Sequence, residues 1–206
     1  MYFLALGDSY TIGESVDEAE RWPVQLAALL NERGFHFASP TIIATTGWTT
    51  GQLMSNLARY SNLRDRYDLV SLLIGVNNQY QGRGQAEYRD QFDFLLRQAI
   101  ELAGNDPGRV LVLSIPDWGV TPFASGRDSQ QIAAEIDAFN TINQEISTTY
   151  GAIYLDVTPI SRQASADPTL IANDDLHPSA KMYTAWADLA LPVACQALTN
   201  NGSEPN

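Results

Sequence analysis

Leu4-Ala5-Leu6-Gly7-Asp8-Ser9-Tyr10 is the stretch on which the reading of the whole chain turns. Tyr2 to Leu6 is an apolar run without polar interruption, the pattern of a strand buried on both faces of a parallel sheet. Gly7 stops it, and Gly-Asp-Ser is turn chemistry. Open α/β sheets hold their ligands at the carboxyl ends of their strands, so Ser9 is a candidate nucleophile. The same tripeptide fills ordinary turns elsewhere, and the rest of the chain must supply what a nucleophile needs.

Downstream, strand and helix patterns alternate. Glu20 to Arg33 has helical spacing, with Trp22, Leu26, Leu29 and Leu30 on one face, Pro23 in the first turn and Gly34 past the end. Pro40 to Thr45 is a short β-branched strand, and Thr49 or Thr50 in its exit loop can cap a helix running through Leu53, Leu57 and Tyr60. Asp68 to Ile74 is the clearest strand; Gly75 closes it, and a polar, uncharged loop follows from Val76 to Gly82. Gln85 to Leu102 is a long amphipathic helix, and Val110 to Ile115 is a fourth strand leaving through Pro116 to Phe123. Asp128 can cap a helix reaching Thr149, and Gly151 to Leu155 is the fifth strand. Residues 156–177 are turn-rich and too long for a routine connection, which marks them for function. The last helix spans Ser179 to Leu198 and carries Tyr183, Trp186, Leu189 and Leu191.

Five strands alternating with helices predict an α/β fold, a three-layer α/β/α sandwich on a parallel sheet of flavodoxin-like order 2-1-3-4-5. Strand one then lies between strands two and three, so the loops carrying Ser9, Gly47 and Asn77 meet at one end. The expected organisation is a single domain over residues 1–199 with a polar tail at 200–206.

Composition narrows the class. A chain of 206 residues, 45% apolar and 17% charged, is ordinary globular material, and no stretch approaches the length of a membrane span. A soluble protein is expected. The net charge of −12, with Lys181 the only lysine and the arginines scattered, argues against nucleic-acid or anionic-membrane partners. Cys195 is the single cysteine, so neither an internal disulfide nor a cysteine metal framework is available, and its apolar surroundings predict a packed helical thiol. The first strand begins at Tyr2 with no room for a leader ahead of it, and the chain as given reads as cytoplasmic.

A serine hydroxyl needs a general base, most often histidine. His36 falls between a helix end and the second strand, at the amino edge of the sheet. His177 follows the long 156–177 excursion, which can reach back over the carboxyl edge, and it is the candidate base. Asp174, three residues earlier on the same face of a turn, can accept from its Nδ1 and fix the imidazole, with Asp175 as the rival. Donors for an oxyanion are the N–H of Ser9, the N–H of Gly47 and the carboxamide of Asn77. Taken singly, these are a turn glycine, a local cap and a loop histidine. Together, in separate loops at one end of the sheet, they form a serine-hydrolase constellation. Tyr10, Trp48, Tyr80 and Trp118 also sit at strand exits on this edge. They either line a pocket suited to sugar rings or modest acyl chains, or pack beneath the loops.

These residues resemble the SGNH (GDSL-type) hydrolases, whose blocks are named for Ser, Gly, Asn and His. Leu6 to Tyr10 is similar to the first block, Thr46-Gly47-Trp48 to the second, Gly75 to Asn78 to the third, and Asp174 to Pro178 to the fifth. The resemblance implies a flavodoxin-like fold, Ser9 as nucleophile, His177 as base, Asp174 as its orienting acid, and Ser9, Gly47 and Asn77 as the oxyanion hole. The DxxH spacing favours Asp174 over Asp175. Tyr10 stands where the family usually has Leu, and Asn78 where it usually has Asp. The expected activity is ester hydrolysis through an acyl-enzyme, with no metal or organic cofactor; the aromatic strand exits and the lack of a broad apolar lid favour short acyl esters, acetyl esters of carbohydrate being one option, over long-chain fat. An acyltransferase or thioesterase would use the same residues. A non-catalytic binding module would leave the Asp174/His177 pair without a purpose.

Overall fold

The computed structural model describes residues 1–199; the polar tail expected at 200–206 lies outside them. Five strands, β1 (Phe3–Gly7), β2 (Thr41–Ala44), β3 (Leu69–Leu73), β4 (Val110–Leu113) and β5 (Ile153–Leu155), pair in parallel. Their order is β2-β1-β3-β4-β5, the expected one. The helices are α1 (Ser9–Ile12), α2 (Trp22–Glu32), α3 (Thr50–Leu57), α4 (Val76–Tyr80), α5 (Gln85–Leu102), α6 (Ser129–Tyr150), α7 (Thr158–Arg162) and α8 (Ala180–Thr199). α2 packs against α8, while α5 packs against α3 and α6, so the sheet lies between two helical layers.

The central strands are the ones whose sequence is apolar without interruption. Every residue of β1 and β3 is buried. Each Leu or Phe taken from water in this way contributes about 1.5–3 kcal/mol. β1 extends one residue further than its apolar run, to Gly7, which pairs with Ala44 on one side and Leu73 on the other. A Cβ at Gly7 would collide with the Thr11 hydroxyl and the Leu73 carbonyl oxygen. Only glycine lets α1 turn back over the strand end this closely.

Caps set the helix starts. Thr49, not Thr50, is the N-cap of α3, and its N–H donates to Gln52 Oε1 at 2.9 Å in a capping box. Asp128 caps α6 as expected, accepting from the N–H groups of Gln130 and Gln131 at 3.0 Å each.

Three expectations are corrected. α3 stops at Leu57, so Tyr60 falls beyond it and is exposed. Leu189 points away from the packed face of α8 and is exposed as well. Residues 76–80, read as loop, form helix α4: five residues carry no legible period, and tertiary hydrogen bonds rather than propensity hold them. Cys195 is a half-buried free thiol on α8, and burial raises its pKa. Among the described residues no helix is long and apolar enough to cross a membrane.

Candidate active site

The Gly-Asp-Ser turn is a strand-to-helix elbow. Asp8 caps α1 by accepting the Tyr10 N–H at 3.1 Å, which puts Ser9 at the first helical position. Burial pushes the Asp8 carboxyl up to about 7, against the pull of the Tyr10, Gly75 and Asp8 amides. Ser9 is nearly buried, yet it lines a cavity of about 180 Å³ at the carboxyl edge of the sheet. Gly47, Asn77 and His177 line the same cavity. A larger, open hollow of about 740 Å³, walled by Tyr2, Arg64 and Arg109, contains none of these residues.

His177 is fixed from several directions. The bridge between Ile171 and Pro178 and the hydrogen bond from the Ala172 N–H to the His177 carbonyl, 2.8 Å, fold residues 171–178 into a tight turn. Tyr10 packs edge-on against the imidazole, 5.7 Å between ring centres, and rests in turn on Trp186. The tyrosine that departs from the family pattern therefore supports the histidine from one side.

Asp174 Oδ2 lies 2.5 Å from His177 Nδ1. Its Oδ1 accepts the N–H of Leu176 at 3.0 Å and of His177 at 2.9 Å. The Ser15 hydroxyl donates to Oδ2 at 2.6 Å. Burial alone would raise this carboxyl, but the bonds from Ser15, the His177 amide and ring, and the Leu176 amide outweigh it and hold the group well below the usual carboxylate range. Asp175 turns the chain instead: it has φ 64°, and its carbonyl accepts the Phe123 N–H at 3.0 Å. His36 is exposed at the amino edge, where its carbonyl accepts from the Met1 ammonium at 2.6 Å.

The second and third blocks are tied to each other. Asn77 Nδ2 donates to the Trp48 carbonyl at 3.0 Å, which spends one amide hydrogen and leaves the other for the cavity. Asn78 is buried; its Oδ1 accepts the Thr50 N–H at 2.9 Å and its Nδ2 donates to Thr50 Oγ1 at 2.7 Å. An amide thus satisfies both groups of Thr50, with its hydroxyl turned to Gln91, and no carboxylate is needed. Gly47 has φ 84°, and a Cβ there would meet nothing within 4 Å. Backbone conformation, not crowding, is what calls for glycine at this turn.

The far wall of the cavity is apolar and aromatic: Val76, Tyr80, Trp118, Phe123 and Leu176. Trp118 is held by its Nε1–H, which donates to Gln79 Oε1 at 2.8 Å, while Gln79 Nε2 donates to Glu135 at 2.6 Å. The Arg127 guanidinium lies 5.2–5.7 Å from the rings of Tyr80, Trp118 and Phe123 and donates to the Tyr80 hydroxyl at 3.1 Å. Of the aromatic residues singled out in the sequence, Tyr10, Tyr80 and Trp118 line the cavity. Trp48 is not among its walls and packs against the core. Phe123, Leu176, Arg127 and Ser15 were missed. Phe123 lay in the exit of the fourth strand and Leu176 in the 156–177 excursion marked for function, whereas Arg127 and Ser15 left no local signal. Among the described residues no three His, Cys, Asp or Glu side chains gather in a way that would hold a metal ion.

A parallel sheet of this order, presenting a serine at its first strand end and a histidine on a late loop, has the build of a serine ester hydrolase. The chain belongs to the GDSL-like lipase/acylhydrolase family, whose sequence model matches residues 5–185. No curated protein matches the sequence. The fold is shared with solved structures of low identity. The lipase/acylhydrolase from Enterococcus faecalis is 16% identical with a TM-score of 0.76, over 100% of this chain and 98% of that one. The psychrotrophic esterase EstA from Pseudoalteromonas sp. is 17% identical with a TM-score of 0.69, over 97% and 99%. Axe2, an acetylxylan esterase from Geobacillus stearothermophilus, is 15% identical with a TM-score of 0.68, over 96% and 93%.

Proposed function

We propose that this esterase cleaves short acyl esters, acetyl esters of carbohydrate among them, through an acyl-enzyme on Ser9. The observation that carries the reading is that Ser9 and His177 border one small cavity while Asp174 sits 2.5 Å from the far nitrogen of the imidazole. In this reading Ser9 Oγ attacks the ester carbonyl as His177 Nε2 takes its proton, and Asp174 steadies the imidazolium through Nδ1–H. The carbonyl oxygen gathers charge between the Ser9 N–H, the Gly47 N–H and the free Asn77 amide hydrogen; one such donor is worth about 3 kcal/mol of barrier. His177 returns the proton to the leaving alcohol, and water then releases the acid by the same steps in reverse roles. Activity falls in acid, because a protonated imidazole cannot act as base.

The cavity of about 180 Å³ is smaller than the roughly 300–1,000 Å³ of drug-sized sites, which supports a short acyl group over a long chain. Its apolar wall suits the acyl methyl or methylenes, and the fold it shares with an acetylxylan esterase supports a sugar as the alcohol. Ser9→Ala is expected to lower kcat on p-nitrophenyl acetate by at least about 10⁴-fold and to abolish labelling by a fluorophosphonate, with the circular dichroism spectrum unchanged. A variant that keeps most of its activity refutes the assignment.

A further inference from the structure

The residues just after the nucleophile hold the other parts of the site. α1 ends at Ile12, and the N–H groups of Gly13 and Glu14 both donate to the Ser9 carbonyl at 3.1 Å. From that fixed point Glu14 reaches the Thr46 hydroxyl, one residue before Gly47, and Ser15 reaches Asp174 at 2.6 Å across 159 residues of sequence. The Ser9 carbonyl thus anchors Glu14, the peptide bond carries that anchor to Ser15, and hydrogen bonds continue through Asp174 to the ring of His177.

Two features separate this contact from an incidental surface bond. Ser15 has φ 66°, a left-handed conformation that a non-glycine residue adopts at a cost and that glycine would fill freely. A serine at such a position is explained by its hydroxyl and not by the turn. The second feature is a count of acceptor sites. An ionised carboxylate offers about four lone-pair sites, and Asp174 fills them with the amides of Leu176 and His177, the imidazole and Ser15. Ser15 supplies the one donor that comes from outside the 174–177 turn.

We infer that Ser15 is a positioning residue for the reaction: it locks the Asp174 carboxylate in the plane that serves His177 and registers it to Ser9. The inference rests on the assignment of Ser9, His177 and Asp174 made above. Its loss has a specific signature. With one donor fewer the carboxylate is more basic and stabilises the imidazolium more, so the acidic limb of the kcat/KM profile moves to higher pH. Tyr10, packed on the imidazole, and Tyr183 on α8 lie within electrostatic reach of Asp174, and between them also of Asp8, Glu14 and Asp117; the substitution leaves all of these in place.

Ser15→Gly is the decisive variant, because it removes the hydroxyl and relieves the backbone at once. On p-nitrophenyl acetate it is expected to lower kcat by about threefold to tenfold, the net worth of one hydrogen bond, with KM within about twofold. The acidic limb is expected to rise by about half a pH unit, and Tm to hold or increase. Ser15→Ala should repeat the kinetic changes with a lower Tm. If Ser15→Gly keeps the wild-type kcat and acidic limb while Ser9→Ala is inactive, the role of Ser15 is overturned and the esterase assignment stands. If Ser9→Ala remains active, the assignment itself fails and the inference falls with it.

Discussion

His177 and His36 sit at opposite ends of one sheet, and nothing in their residue type distinguishes them. His177 is buried in a tight turn with its Nδ1 held by a carboxylate and its ring braced by Tyr10. His36 is exposed, and only its backbone carbonyl is tied down, by the chain's own amino terminus. The carboxyl edge concentrates loops from β1, β2 and β3 because β1 is flanked by both neighbours. The amino edge carries an open hollow whose walls include Arg64, Arg66, Arg109, Asp65 and Asp68. On the proposed reading, it is where the topology sends the residue that makes His177 the base.

The sharpest way to break this contrast is to delete each histidine. His177→Ala is expected to cost at least about 10⁴-fold in kcat on p-nitrophenyl acetate, while His36→Ala stays within twofold. Equal losses would refute the division between the two edges. The adjacent acids allow a finer comparison within one turn. Asp174→Asn removes the acceptor that fixes the imidazole and is expected to cost about 10⁴-fold, whereas Asp175→Asn, whose role lies in its backbone, should cost less than about threefold. The reverse ranking would hand the role to Asp175.

The smallest effect concerns stability. Asp8 at the carboxyl end of β1 is buried and raised to about 7, while Asp68 before β3 is half-buried and accepts the Tyr2 N–H at 2.7 Å. A carboxyl raised on folding stabilises fully below its unfolded pKa, and the contribution is lost as pH climbs through the folded value. The native state therefore weakens from about pH 4 to pH 7 through Asp8. Asp8→Asn should remove that slope, with a Tm advantage over the parent at pH 8 about 5–10 °C larger than at pH 5. A flat Asp8→Asn comparison would show that Asp8 is ionised at pH 5.

The five strands and their order were legible because each is an apolar or β-branched run closed by a turn residue, a pattern set by burial. α4 was not, since its hold comes from Asn78 bonding to Thr50 in a distant segment. Tyr60 and Leu189 extended a helical period past the point where anything packs on it. Ser9, Gly47, Asn77, Asp174 and His177 could be picked out by chemistry and by the edge they occupy. The side-chain direction of an aromatic residue at a strand exit cannot be read that way, which is why Trp48 was chosen and Phe123 passed over. Ser15 was silent for a simpler reason: Gly-Glu-Ser is unremarkable turn sequence, and its partner lies 159 residues away.

Gly7 couples the integrity of the sheet to that of the site. The strand it ends is held by two neighbours along its length, but the helix that begins beside it has only the space left by a missing methyl. Any larger residue there must displace both Thr11, on the short helix that presents Ser9, and the Leu73 carbonyl of β3. Variation at position 7 is therefore expected to lower turnover and Tm together, because the same added carbon presses on the helix of Ser9 and on the backbone of a central strand.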